Sequence, residues 1–135
     1  MRRLSPVLIL LLAALALAVA GCGGSDEEDE ESATPAEAVA EIDEIKTMLA
    51  TAVGQVRDGD ADAAEETVGD AYLEHFEKVE HPLGEEDHEL MEELEEAIST
   101  DLRNDIKDGK SADEIEAAVA AITTDLDRAV VLLQG

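Results

Sequence analysis

The sequence predicts an all-α fold, an up-down-up-down antiparallel four-helix bundle. Three observations lead there. From Thr34 onward, apolar residues recur at spacings of three and four, the pattern of helices that each bury one stripe. The marked segments are of similar length and are joined by short connections, which turns each helix back on the one before it. No run joins β-branched residues to alternating polarity over the length of a strand, so a sheet is not expected.

Each helix has its own boundary chemistry. Thr34-Pro35-Ala36-Glu37 reads as a capping box with proline at the first helical position, where no N–H is missed. The first helix then carries Ile42, Ile45, Leu49, Ala52 and Val56 on one stripe and ends at Asp58-Gly59-Asp60. A second helix is predicted from Ala61 to about Glu80, with Ala61, Ala64, Val68, Tyr72, Phe76 and Val79 facing the core and Pro82 as its stop. The third presents Met91, Leu94, Ile98, Leu102 and Ile106 and closes at Lys107-Asp108-Gly109, a cation and a glycine that suit a C-terminus. Ser111-Ala112-Asp113-Glu114 is a second capping box. It opens a fourth helix on Ile115, Val119, Ile122, Leu126, Val130 and Leu133. The bundle thus spans residues 34–135, with larger core side chains contributing roughly 1.5 to 3 kcal/mol each on burial.

A different organisation precedes it. Arg2 and Arg3 lead into an apolar run from Val7 to Ala20, then Val19-Ala20-Gly21-Cys22. A positive start, a short apolar stretch and small residues at a cleavage point make a secretory signal over residues 1–21. The run falls well short of the roughly 20 residues that a membrane-spanning helix needs. Val-Ala-Gly-Cys resembles the lipobox of bacterial lipoproteins, which implies that Cys22 is lipidated, by palmitate among other acyl chains, and becomes the mature N-terminus. Each buried CH2 of such chains adds about 0.8 kcal/mol of membrane affinity. The predicted location is therefore extracytoplasmic, on the cell membrane or on an outer membrane where the organism has one. Residues 22–33 continue through Asp26-Glu27-Glu28-Asp29-Glu30-Glu31, six like charges with nothing to bury, and read as a disordered acidic tether.

Composition narrows the function. The 135 residues include 35 Asp or Glu against 9 Lys or Arg, a formal net charge of -26. Phosphate backbones would repel such a chain, which excludes nucleic acid as a partner. One Cys cannot close an internal disulfide or build a thiolate cluster. There is no Ser/His/Asp motif, glycine-rich phosphate loop or His-Glu-x-x-His, so the expectation is a protein without enzymatic activity. Uniformly exposed carboxylates do not provide the split pKa values that acid-base catalysis requires.

The three histidines all fall between positions 75 and 88. Glu77 and His81 are four apart, Glu80 is one turn from Glu77, and His88 lies across the following turn. The candidate metal-binding set is therefore Glu77, Glu80, His81 and His88. Carboxylates suit iron or another divalent cation as the bound species. The competing reading is a solvated acidic exterior with no metal role.

The segment Asp70-Ala71-Tyr72-Leu73-Glu74-His75-Phe76-Glu77-Lys78-Val79-Glu80-His81-Pro82-Leu83 resembles the Tyr-Leu-x-x-Phe-Glu-x-x-Glu-x-x-Leu stretch of the extracytoplasmic helical domain attached to some permeases of the high-affinity iron transporter family. Similar spacing follows at Asp87, Leu94-Glu95 and Leu102-Arg103. The resemblance implies a helical module that accompanies iron uptake, with a metal permease or another envelope protein as partner and Glu77 and Glu80 as positions of interest. The chain lacks the Arg-Glu-x-x-Glu motif of the permease itself. A structural role is the other reading of the same residues, with Glu77 pairing Arg103 across helices. Two functions are thus expected: a lipid-anchored accessory to metal-cation uptake, or a non-catalytic acidic interaction lipoprotein.

Overall fold

Thr34 takes an extended backbone conformation, and both halves of its capping box form. Its hydroxyl oxygen accepts from the Glu37 amide at 3.3 Å, and the Glu37 carboxylate accepts from the Thr34 amide at 2.8 Å. From this start α1 runs over Pro35–Asp58, and Gly59 ends it at φ 84°, a left-handed conformation that favours glycine. The computed structural model describes residues 33–135; the predicted signal, Cys22 and the acidic stretch lie outside the described residues. Among those residues the protein is all-helical, with four helices and no strand. No helix among them is long and apolar enough to cross a membrane.

The second helix, α2, spans 61–86 and contains Ala61–Asp70, Ala71–Phe76 and Glu77–Glu86. Asp60 caps it by accepting from the Ala63 amide at 3.1 Å. Pro82 does not stop it, contrary to the sequence expectation. Proline forfeits one backbone hydrogen bond, but the ring is buried and the continued turn carries Leu83 fully into the core. The break comes at Asp87 instead, whose extended backbone (φ -151°, ψ 91°) starts the third helix. One Asp87 oxygen accepts from the Leu90 amide at 3.0 Å, and the other from Arg128 at 2.8 Å.

The third helix, α3, spans 88–107 and contains His88–Glu96, Ala97–Asp101 and Leu102–Lys107. The fourth, α4, is Ala112–Gln134, opened by the complete Ser111 and Glu114 capping box.

The middle segments of α2 and α3 are π-helical, and the apolar spacing explains why. In α1 and α4 the buried positions alternate between steps of four and three, as in Ile42, Ile45, Leu49 and Ala52, which keeps a straight 3.6-residue helix in phase. In α3 they are Leu90, Leu94, Ile98, Leu102 and Ile106, all steps of four. Each such step overshoots a regular turn by about 40°, so a regular helix would rotate the last of them away from the core. One wide turn takes up most of the drift: the Leu102 amide donates to Ala97, five residues back. The same holds in α2 for Ala64, Val68, Tyr72 and Phe76, where the Glu77 amide donates to Tyr72.

All four helices contribute to one apolar core, in which Phe76 is the largest fully buried side chain, and no polar or charged side chain is buried among the described residues. Val56, Tyr72, Met91 and Val130 sit at its margin, whereas Ala38, Val53, Leu90 and Ala129 lie deeper. Ala61, predicted to face inward, is exposed, and the buried stripe of α2 begins at Ala64.

Every Lys and Arg among the described residues is engaged by a carboxylate. Lys46 with Asp127 and Arg57 with Glu116 join α1 to α4; Lys78 with Glu41 joins α2 to α1. Arg103 and Lys107 both reach Glu65 across α3 and α2, Arg128 meets Asp87, and Lys110 pairs locally with Asp105. Such surface pairs contribute about 0 to 1 kcal/mol each, so the core dominates.

A deletion test follows from the wide turns. Removal of exposed Thr100 turns the π segment into a regular one and should cost under about 2 kcal/mol in urea unfolding. Removal of the equally exposed Ala121 rotates the rest of the α4 stripe by about 100° and should abolish the cooperative transition.

Candidate functional site

Three of the four predicted metal-ligating residues reach the same place. Glu80, His81 and His88 line an open hollow of ≈ 400 Å³ together with Gly84, Glu85 and Met91. Glu77 is exposed one turn or more away and is not part of its wall. The quartet is nevertheless not assembled as a metal centre. Among the described residues no three His, Cys, Asp or Glu side chains are grouped so as to hold an ion. The Asp87 corner separates the two imidazoles, and each lies near the carboxylate four residues on. His81 Nε2 is 3.9 Å from Glu85 and His88 Nε2 is 3.3 Å from Glu92.

What the fold does bring together is Glu80 and Glu95 about Tyr72. The Tyr72 ring stacks on the buried Phe76, with centroids 6.0 Å apart, and this contact fixes where its hydroxyl points. The hydroxyl donates to Glu95 Oε1 at 3.4 Å and lies close enough to Glu80 to stabilise that carboxylate as well. Glu80 Oε1 is enclosed and has no hydrogen-bond partner.

Burial pushes the Glu80 carboxyl above its ordinary value, and the charges of Glu95 and Glu77 add to this against the hydrogen bond from Tyr72. Burial, reinforced by Glu80 and Glu95, pushes the Tyr72 hydroxyl up to about 12. The group is a pair of carboxylates and a phenol with negative charge in excess, a set of oxygen donors suited to a hard cation. Glu95 was not among the predicted ligands. The one available signal was Tyr72, a half-buried phenol at the edge of a stripe that needs a polar partner.

Two further clusters tie helices together. His75, the histidine outside the predicted metal set, directs Nδ1 to Glu41 Oε2 at 2.6 Å, while Lys78 reaches the other oxygen at 3.1 Å. Desolvation opposes the Glu41 charge, but the hydrogen bonds from His75 and Lys78 outweigh it and hold the carboxyl below its ordinary value. The expected Glu77 to Arg103 pair does not form. Arg103 donates to Glu65 at 2.9 Å because its guanidinium lies against Gly69, two turns earlier on α2 than Glu77, where a β-carbon would come within 3.7 Å of Cζ. Lys107 and then Arg103 hold the Glu65 carboxyl below its usual range.

The electrostatics predict two titrations. Phenolate absorbance of the lone tyrosine should have its midpoint near 12 and move toward the ordinary 10 in a Glu80→Gln, Glu95→Gln chain. For Glu80 the raised folded pKa means a stability penalty that is full above that pKa, fades as pH falls through it, and is gone below the ordinary 4.5. Glu80→Gln should therefore raise the urea midpoint at neutral pH and leave it unchanged at the acid end.

Compared with known proteins, the chain matches no protein-family model, no curated protein and no solved structure.

Proposed function

We propose that this chain is a lipid-anchored extracytoplasmic protein, a four-helix bundle that assists the uptake of iron or another metal cation by presenting carboxylates beside a permease. The bundle is up-down-up-down and antiparallel. Support comes from the cross-helix pairs: positions 46 and 57 of α1 meet 127 and 116 of α4, and positions 65 and 72 of α2 meet 103 and 95 of α3. In each case numbers rise on one helix as they fall on the other. Cys22 carries the lipid, the acidic stretch after it is the tether, and the role is non-catalytic.

The metal reading rests on the Glu80 and Glu95 pair under the Tyr72 hydroxyl. A cation arriving there would relieve both the repulsion between carboxylates and the desolvation that pushes the Glu80 carboxyl up. Two carboxylates and a phenol fall short of the six or more oxygens a hard ion takes, so water completes the shell and the ion exchanges readily. That suits a cargo passed on to a transporter. The second reading is an acidic interaction module without a metal role. It is favoured by the net charge of -26 and by the exposure of most carboxylates, which would draw a basic envelope partner.

Metabolic labelling with a fatty-acid analogue should mark the wild-type protein and leave Cys22→Ser unmarked; an unmarked wild type would reject the anchor. Calorimetric titration with ferrous and ferric ions should show weak binding that is lost in the Glu80→Gln, Glu95→Gln chain. Equal heats in both chains, together with crosslinking on intact cells to an envelope protein other than a permease, would establish the second reading instead.

A further inference from the structure

The hollow at the Asp87 corner holds a second chemistry that the carboxylate pair does not use. Its walls carry two imidazoles and a thioether, from His81, His88 and Met91, around the backbone of Gly84. A β-carbon built on Gly84 would lie 3.7 Å from Met91 Cε and 3.9 Å from His88 Nδ1, so these two side chains stand over the same point. His81 precedes Gly84 by three residues and shares its side of the helix. That relation exists because α2 continues through Pro82 to Glu86. Both imidazoles are exposed and lie near single carboxylates of their own helices, so rotation into the hollow breaks no packing. Glycine is disfavoured inside a helix relative to alanine, and here it keeps the floor of the hollow open.

We propose that His81, His88 and Met91 form a binding site for a soft univalent cation, Cu(I), with Ag(I) as its redox-inert counterpart. A thioether selects such an ion over hard divalent cations, and imidazole accepts it readily. Three donors from two helices suffice for an ion of low coordination number, where a hard ion would need a shell of oxygens. Glu80 and Glu85 on the same walls add negative potential that draws a cation in. The ion is bound without change of oxidation state. The site differs in its donors from the Glu80 and Glu95 pair and does not rest on the iron reading.

The test uses the full chain carrying Cys22→Ser, so that no thiol competes. Ag(I) is titrated while the methionine methyl and histidine ring resonances are followed by NMR. At one equivalent the signals of Met91, His81 and His88 should shift, and those of Met48 and His75 should stay. Competition for Cu(I) against a chromogenic chelator under ascorbate gives the affinity. Loss of a metal's outer-shell partner alone costs 10- to 100-fold, so Met91→Leu and His88→Ala should each weaken binding at least about ten-fold.

Gly84→Ala separates binding from folding: its β-carbon meets only ordinary van der Waals neighbours, so Tm should rise while Cu(I) affinity falls. Equal shifts at Met48 and His75, or affinities unchanged in the three variants, would overturn the site. A parallel Fe(II) titration distinguishes the two proposals. Iron binding that needs Glu80 and Glu95 but not Met91 leaves the uptake reading standing whether or not Cu(I) binds.

Discussion

The constraint on which the structure depends is that four apolar stripes must meet in one core while the chain carries a net charge of -26. Mutual repulsion of surface carboxylates pushes the helices apart, and salt is expected to relieve it. Burial of side chains such as Phe76, Ile42, Leu49, Leu94 and Leu126 opposes it. The few cations are placed where they help most. All but Lys110 bridge different parts of the fold, each neutralising a carboxylate at a line of contact between elements.

The same constraint accounts for the two wide turns. A stripe spaced by four cannot lie along a regular helix without rotating away, and in α3 every step from Leu90 to Ile106 is four. Widening one turn in each of α2 and α3 costs some backbone hydrogen-bond quality and returns the whole stripe to the core. The wide turn in α2 also lies where Tyr72 and His75 leave the core margin, so it sets the directions in which these two polar groups reach Glu95 and Glu41. Functional chemistry on α2 therefore grows out of a packing solution.

Pro82 and Asp87 show a related division of labour. Proline in a helix interior normally marks an end, but the apolar ring and Leu83 after it are worth more inside the core than a straight stop is outside it. Asp87 makes the break because its side chain can cap the next helix and meet Arg128 at once. The continued turn is what places Gly84 and Glu85 beside His81 and opens the hollow toward His88 and Met91.

Local chemistry in the sequence determined the helical class, the starts at Thr34, Asp60 and Ser111, the endings at Gly59 and Gly109, and most of the buried stripe, since capping and periodicity act within one or two turns. The wide turns were not legible there: the predicted third stripe begins at Met91, and only the buried position of Leu90 completes the run of steps of four that requires them. Tertiary structure alone decided which charges meet: Glu65 rather than Glu77 for Arg103, Glu41 for His75, Glu95 for Tyr72. These partners lie 23 to 38 positions apart, and nothing in a surface crowded with interchangeable carboxylates says which will face a given cation or hydroxyl. That choice belongs to the helix rotations imposed by the core, which no single segment contains.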